Sequence, residues 1–358
     1  MKVAVVIDAW LPAIGGGQIN AWEISKRLSK KGVKIDILTR NNGSYKTRKI
    51  KNLNVYRFGH KSKPDDNLSR IIFLVKAFFF IAKRDYDIVH LQAFLPGLLA
   101  LPIRYLLKKQ TVFTVHGTRM FEKNPPMSLG FLIEKIILTR IKYNILISVT
   151  EAFLKFENVN KKIVCIPNGI DVAQFKKIKE KKTKYPKILW VGRFDPVKRV
   201  DDLLSAMQIL KKEMPRAKLI IVGYGKDEKK LKDIKKTLNL TNVEFIGKKE
   251  GPDLIREYKS SHVFVLSSAS EGQPMSILEA LACDLPIVAT RVGGITEIVR
   301  NNVNGILVPS HEPNKLAKAI STVLKKEDSF SANGFNILKQ HNWGTIATTT
   351  LKAYTQLV

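Results

Sequence analysis

Cysteine is nearly absent from this chain. Cys165 and Cys283 stand far apart in apolar runs, with neither CxxC nor metal-ligand spacing. That argues against a disulfide framework and a zinc-type site, and reads as two buried thiols in a cytoplasmic protein. Long hydrophobic runs are missing too. "IIFLVKAFFFIA" (71–82) is broken by Lys76, and "FLPGLLALPIRYLL" (94–107) holds two prolines, so neither reaches the roughly 20 apolar residues of a membrane span. The opening "MKVAVVIDAW" reads as a strand rather than a secretory leader, with one lysine, a short apolar run and no cleavage-like site. No short internal repeat or low-complexity segment is seen, and no cluster has metal-ligand spacing, so neither a metal nor a cofactor is expected. Acidic residues are scarce: 31 Asp and Glu stand against 61 Lys and Arg, for a net charge of +30. Residues 1–180 hold 32 of the basic and only 13 of the acidic residues. Such an excess suits nucleic acid, anionic lipid or a phosphorylated substrate, and equally suits lysines that are merely solvated.

What is present is a chain of 358 residues, enough for two domains, with an ordinary 45% of hydrophobic residues. Short β-branched runs alternate with helical patterns. Strands are expected at 2–8, 33–39, 86–92, 110–117 and 143–150, with an amphipathic helix at 19–32 carrying Ile19, Trp22, Ile24 and Leu28 and closed by Gly32. The polar stretch "FKKIKEKKTKYPK" (175–187) reads as an interdomain connection. Strands then resume at 187–193, 217–225, 242–248, 262–268, 285–294 and 305–310. This βαβ alternation predicts two doubly wound α/β halves with parallel sheets. Several strands end in glycines or polar groups: "DAWLPAIGGG", "TVHGT", "VGRFD", "VGYGK" and "SSASEG". Ligands of open parallel sheets bind beyond the carboxyl ends of their strands, and two facing sheets would gather these segments in one cleft.

The segment "EGQPMSILEA" (271–280) places Glu271 and Glu279 on either side of Gly272 and Pro274. Pro274 suits the first turn of a helix over 275–283, whose core stripe is Ile277, Leu278 and Leu281. Ser276 and Glu279 share the opposite face. The helix start offers amides to a diphosphate, Glu279 can accept from the diol of a ribose, and Glu271 in the loop can face a sugar. Alone, this is also an ordinary acidic helix start. In "VGRFDPVKRVDDLLSA" (191–206), Arg193 and Lys198 supply a fork and a point cation suited to the two phosphates. Arg199 reads as a solvated charge. His116, at a strand end before a glycine, reads as a cleft residue rather than a core histidine.

"EGQPMSILEALACDLPIVATRVGGITEIV" resembles the E-x7-E signature region of glycosyltransferase family 4, retaining and metal-independent enzymes of the two-domain GT-B fold. "VGRFDPVKRVDDLLSA" resembles that family's G-R-x-x-x-x-K loop, "CIPNGID" (165–171) its domain-junction motif, "GGGQINAWEISKRLSKKGVKIDILT" its amino-terminal glycine loop and helix, and "TVHGT" the strand end carrying its histidine. The resemblance spans essentially the whole chain in the family's order. It implies two Rossmann-like domains facing across a cleft: residues 1–168 on the acceptor side, completed by a helix at 343–358 that crosses back, and residues 169–342 binding the nucleotide sugar. It implies that Arg193 and Lys198 bind the diphosphate, Glu279 the ribose, and Glu271 and His116 the donor sugar near the reacting carbon. Gly15, Gly16 and Gly17 would approach phosphate or acceptor, and Gly272, Pro274, Met275 and Ser276 complete the nucleotide-sugar set.

The sequence also departs from the family. Gln92 stands where many members have a second histidine and receives no role, and His90 is left structural. Asp284 replaces a common glycine, a position where Asp tolerates a left-handed backbone. Gln273 stands where a bulky residue is frequent. The expected activity is retaining transfer of a hexose-type sugar from a nucleoside-diphosphate sugar to a glycan or lipid-linked acceptor, in cell-surface glycan assembly. The basic, apolar stretches 71–82 and 127–143 raise a peripheral contact with an anionic membrane, against the plainer reading of two core helices. A GT-B sugar-nucleotide epimerase is the alternative enzyme. A basic nucleic-acid-binding protein is the alternative class, although no basic stripe with interleaved aromatics is seen and no nucleic acid is expected.

Overall fold

The computed structural model describes residues 1–358 apart from 11–14, 44–49, 62–65, 119, 121–126, 156–158 and 331–336. The chain divides into unit 1, Met1–Asn168 with Trp343–Val358, and unit 2, Gly169–Asn342. The stretch 175–187 expected to connect domains lies inside unit 2, where Phe175 is buried in the core.

Unit 1 holds strands β1 (Lys2–Ile7), β2 (Lys34–Arg40), β3 (Leu53–Phe58), β4 (Ile88–Gln92), β5 (Gln110–Val115), β6 (Ile145–Ser148) and β7 (Ile163–Cys165). They form one parallel sheet ordered β3-β2-β1-β4-β5-β6-β7. Parallel pairing needs both faces covered. The helices Asn67–Ala82, Ala100–Tyr105 and Leu129–Thr139 share one core with Val6, Leu38, Leu91 and Phe113 of the sheet. The helix Gly16–Lys30 carries the carboxyl-terminal helix Trp343–Thr355 against it, with Arg27 over the Trp343 ring and Lys31 bonded to Thr348.

Unit 2 holds β8 (Lys187–Arg193), β9 (Lys218–Tyr224), β10 (Val243–Phe245), β11 (Val263–Leu266), β12 (Ile287–Thr290) and β13 (Gly305–Val308), ordered β10-β9-β8-β11-β12-β13, again parallel. Strand order reverses at β1/β4 in one unit and at β8/β11 in the other. Such switch points open a crevice at the strands' carboxyl ends.

Some details correct the sequence reading. Strands β3 and β7, which the alternation did not signal, are both sheet edges. The helix expected from Ile19 begins at Gly16, so Gly16 and Gly17 form its first turn and only Gly15 precedes it. Residues 11–14 of the expected glycine loop lie outside the described residues. Cys165 and Cys283 are half-buried rather than buried. Asp284 has a φ of +57°, the left-handed backbone expected of it.

Candidate functional site

In unit 2 the loops after β8, β11 and β12 meet at the switch point. Glu271 Oε1 accepts from Lys198 Nζ at 2.6 Å and from Ser268 Oγ at 2.6 Å. The Glu271 side chain is 8% exposed and that of Lys198 21%. Backbone ties fix the pair. Ser267 Oγ donates to Lys198 O, and Ala269 N–H donates to Val197 O. From the other side Gly294 N–H donates to Gly272 O. At Gly293, with a φ of +47°, a Cβ would stand 1.8 Å from Glu271 O, so only glycine lets the two backbones touch. The sequence quoted these glycines, but nothing in their spacing showed that they buttress Glu271.

Met275–Ala282 is the helix behind this loop. Pro274 sits at its N-cap, one residue earlier than expected, and no side chain caps the amides that follow. Ile277, Leu278 and Leu281 are buried in the core, while Met275, Ser276 and Glu279 are half-exposed. Glu279 Oε2 accepts from Tyr258 Oη at 2.7 Å. Burial pushes the Glu279 carboxyl up to about 7, against the lowering effect of the Tyr258 bond. Cys283, one turn further on, has its thiol pushed up to about 12, by burial first. Gln273 is buried and holds no open position.

Arg193, the last residue of β8, is 61% exposed and pairs with Asp195 at 3.1 Å. Arg199 is not a solvated charge. It takes a φ of +49° and forks onto Asp202 at 2.7 and 2.9 Å, fastening the first turn of the helix Val200–Glu213. Asp202 holds it above its ordinary pKa.

Unit 1 carries the other expected residues. His116 follows β5, and its Nε2–H donates to Gln92 Oε1 at 2.6 Å. Since that oxygen can only accept, the proton is on Nε2 and Nδ1 is left with its lone pair. Nδ1 is buried and has no hydrogen-bond partner among the described residues. Burial pushes the His116 pKa down to about 4, so the ring is neutral at pH 7. The Gln92 amide lies 3.4 Å from His90 Nε2, which Thr114 Oγ1 also approaches at 2.6 Å. His90 Nδ1 then meets the Tyr354 hydroxyl of the last helix. Burial, with His116 nearby, pushes His90 down to about 3. Gln92, given no role by the sequence, thus sets the tautomer of His116. Gly17 leaves room for that ring, since a Cβ there would stand 3.1 Å from His116 Cδ2. Gly16 is exposed beside it, and no side chain caps this helix.

Among the described residues no group of three His, Cys, Asp or Glu side chains is placed to hold a metal ion. No helix among them is long and apolar enough to cross a membrane.

Residues 14–174 match the family model described as Glycosyltransferase Family 4, and residues 171–341 the model described as Glycosyl transferases group 1. An uncharacterised glycosyltransferase of Methanocaldococcus jannaschii is 28% identical, over 100% of this chain and 99% of that one. Sucrose-phosphate synthase from Thermosynechococcus elongatus has a TM-score of 0.86 at 23% identity, covering 99% of this chain and 98% of that one. Anabaena HepE in complex with UDP-glucose has a TM-score of 0.78 at 17% identity, covering 99% and 100%. At these identities the likeness to the solved structures is one of fold, and that fold is GT-B.

Proposed function

The chain belongs to the glycosyltransferases of family 4 and group 1, and from that premise we propose that it transfers a sugar, with retention and without a metal, from a nucleoside-diphosphate sugar to a glycan or lipid-linked acceptor. The observation that carries the donor half is the tied pair of Lys198 and Glu271 in the loop before the Met275–Ala282 helix, with Glu279 held by Tyr258 one turn into that helix. A helix start with a cation beside it favours a diphosphate. Glu279 lies a turn inside the helix, and its carboxylate lone pairs can take ribose hydroxyls.

As the sugar–phosphate bond breaks, negative charge grows on the leaving diphosphate. Lys198 and the helix amides are held in place beforehand, so they meet that charge without reorganising. Arg193 is exposed and, among the described residues, tied only to Asp195, so it can swing onto phosphate by exchanging one acceptor for another. Lys198, paired with Glu271, would screen that carboxylate from a bound diphosphate and so let it remain near the sugar. Positive charge developing on the sugar carbon is what that carboxylate stabilises. His116, within unit 1, offers a neutral acceptor, Nδ1, to a hydroxyl of a bound sugar.

UDP-sugars are the first donors to test, because the HepE structure holds UDP-glucose. The experiment is a thermal-shift panel of nucleotide sugars, followed by NMR of the product's anomeric carbon. A donor that raises the melting temperature and yields a product of unchanged anomeric configuration supports the reading. Inversion removes the retaining assignment, and interconversion of the donor's own sugar without an acceptor points to an epimerase.

A further inference from the structure

Helices that cover a parallel sheet are normally apolar on the inner face and polar outside. Those on one face of unit 1 are not. In Asn67–Ala82, Phe73, Ala77 and Ile81 fill the core, yet Leu68, Ile71, Val75 and Phe79 form a second stripe in solvent, with Phe79 57% exposed. In Leu129–Thr139, Phe131, Ile137 and Leu138 are buried while Leu129, Leu132 and Ile136 are exposed. Leu101, Tyr105 and Leu106 add to the same layer, because all three helices pack on that face of the sheet. In unit 2 the exposed large apolar side chains among the described residues are only Ile209, Tyr224 and Val303.

Charge selects the occupant. The exposed ionic residues within these helices are basic, Lys76 and Lys135, with Lys83, Lys108 and Arg140 just beyond their ends. The single acid inside them, Glu134, is buried on Thr118. Asp66 caps one helix and is bonded to it, and Asp85 and Asp87 lie exposed past its other end. Apolar stripes spread over three convex helices, with cations between them, suit a fluid anionic surface better than one peptide in one groove.

We propose that this face of unit 1, built on Leu68, Ile71, Val75, Phe79, Leu129 and Leu132, docks on an anionic lipid bilayer, apolar side chains entering the headgroup boundary and lysines meeting lipid phosphates. The proposal deepens the acceptor half of the reading above by naming where a lipid-linked acceptor is met, and it stands or falls separately from the donor site.

Flotation with phosphatidylglycerol–phosphatidylcholine vesicles, against pure phosphatidylcholine, tests it. The protein is expected to float with the anionic vesicles at low salt and to be partly released at high salt. A triple variant, Ile71→Ser/Val75→Ser/Phe79→Ser, removes only exposed side chains and is expected to weaken partitioning about tenfold or more. Its nucleotide-sugar thermal shift should match the wild type, which separates loss of docking from loss of fold. Failure to float, equal flotation with neutral vesicles, or unchanged flotation of the triple variant overturns the proposal. So does a wild-type dimer in light scattering that the triple variant dissociates, since the stripe would then be covered by a second copy. A protein that floats but binds no nucleotide sugar leaves the surface standing and removes the donor reading instead.

Discussion

Unit 2 and unit 1 share a strand order and treat their switch points differently. In unit 2 the Ser268–Glu271 loop is tied to Val197 and Lys198 on one side and to Gly293 and Gly294 on the other. In unit 1 the polar groups run in a single file, Tyr354 to His90 to Gln92 to His116, and the file ends on a buried Nδ1 with no partner among the described residues. A nucleoside diphosphate is one invariant shape and rewards a site whose charges are fixed before it arrives. A buried polar atom left unpaired costs stability until a partner fills it, a condition that, among the described residues, His116 Nδ1 shares with core atoms such as Trp190 Nε1.

Substitutions at paired glycines sharpen this contrast most. Gly293→Ala drives a methyl into the Glu271 carbonyl and is expected to destabilise by about 3 kcal/mol or more and to abolish transfer. Gly17→Ala lies in a helical first turn, so its stability should change by less than about 1 kcal/mol. Its ring contact at 3.1 Å must still displace His116, and activity should fall. Melting curves and activity together check both, and similar stability losses would erase the distinction.

Lys198→Ala is expected to lower turnover about 100-fold or more. A double-mutant cycle with Glu271→Ala should give a coupling of about 1–3 kcal/mol in stability. Arg193→Ala should also slow turnover strongly, with stability within about 0.5 kcal/mol of wild type because the side chain is exposed. Near-normal turnover in both would remove these cations from the site.

Glu279 supplies a test by pH. Its carboxyl titrates at about 7 in the folded protein and at about 4.3 in an unfolded chain. Between those values the folded protein holds a proton that the unfolded chain has released, so stability falls as pH rises through that window, by about 1–3 kcal/mol. Glu279→Gln should flatten this slope and weaken nucleotide binding more than it slows chemistry. On the proposed reading ribose hydroxyls donate to the carboxylate, so wild-type nucleotide affinity should rise with pH and binding should release protons, measurable by calorimetry in buffers of different ionisation enthalpy.

In unit 1, Gln92→Leu frees the His116 tautomer and is expected to cost roughly tenfold in kcat. Gln92→Glu keeps the acceptor but adds a charge facing His90 and His116. It should raise the His116 pKa from about 4 and bring an acidic limb into the pH–rate profile. A profile unchanged in both variants would leave Gln92 as packing only. The smallest expected effect is none at all: activity in excess chelator should equal that without it, and loss restored by magnesium or manganese would defeat the cation-and-amide account.

The central strands were legible because buried parallel strands are continuous apolar runs; β8 spans the residues its run suggested, Lys187–Arg193. Edge strands bury less, and β3 and β7 left no such trace. Helix Met275–Ala282 announced itself through Pro274 and its apolar stripe. The pairing of Lys198 with Glu271 did not, since 73 residues separate them, and no local pattern reports a contact made by folding. Gln92 and Gly293 escaped for the same reason. The outer stripe of Asn67–Ala82 was legible only as one of two readings, because a helix apolar on both sides gives the same letters as a helix wholly inside a core.

The last helix carries a consequence for synthesis. Trp343 and Tyr354 are buried in unit 1, yet the ribosome reaches them only after making all of unit 2. Unit 2 is contiguous and can close while the chain is still being extended, whereas unit 1 must wait with one layer open. The hydrogen bond between Tyr354 and His90 cannot form before that helix is made. A chain cut before Trp343 would therefore keep unit 2 whole beside a unit 1 that lacks the cover of this helix and the Tyr354 partner of His90.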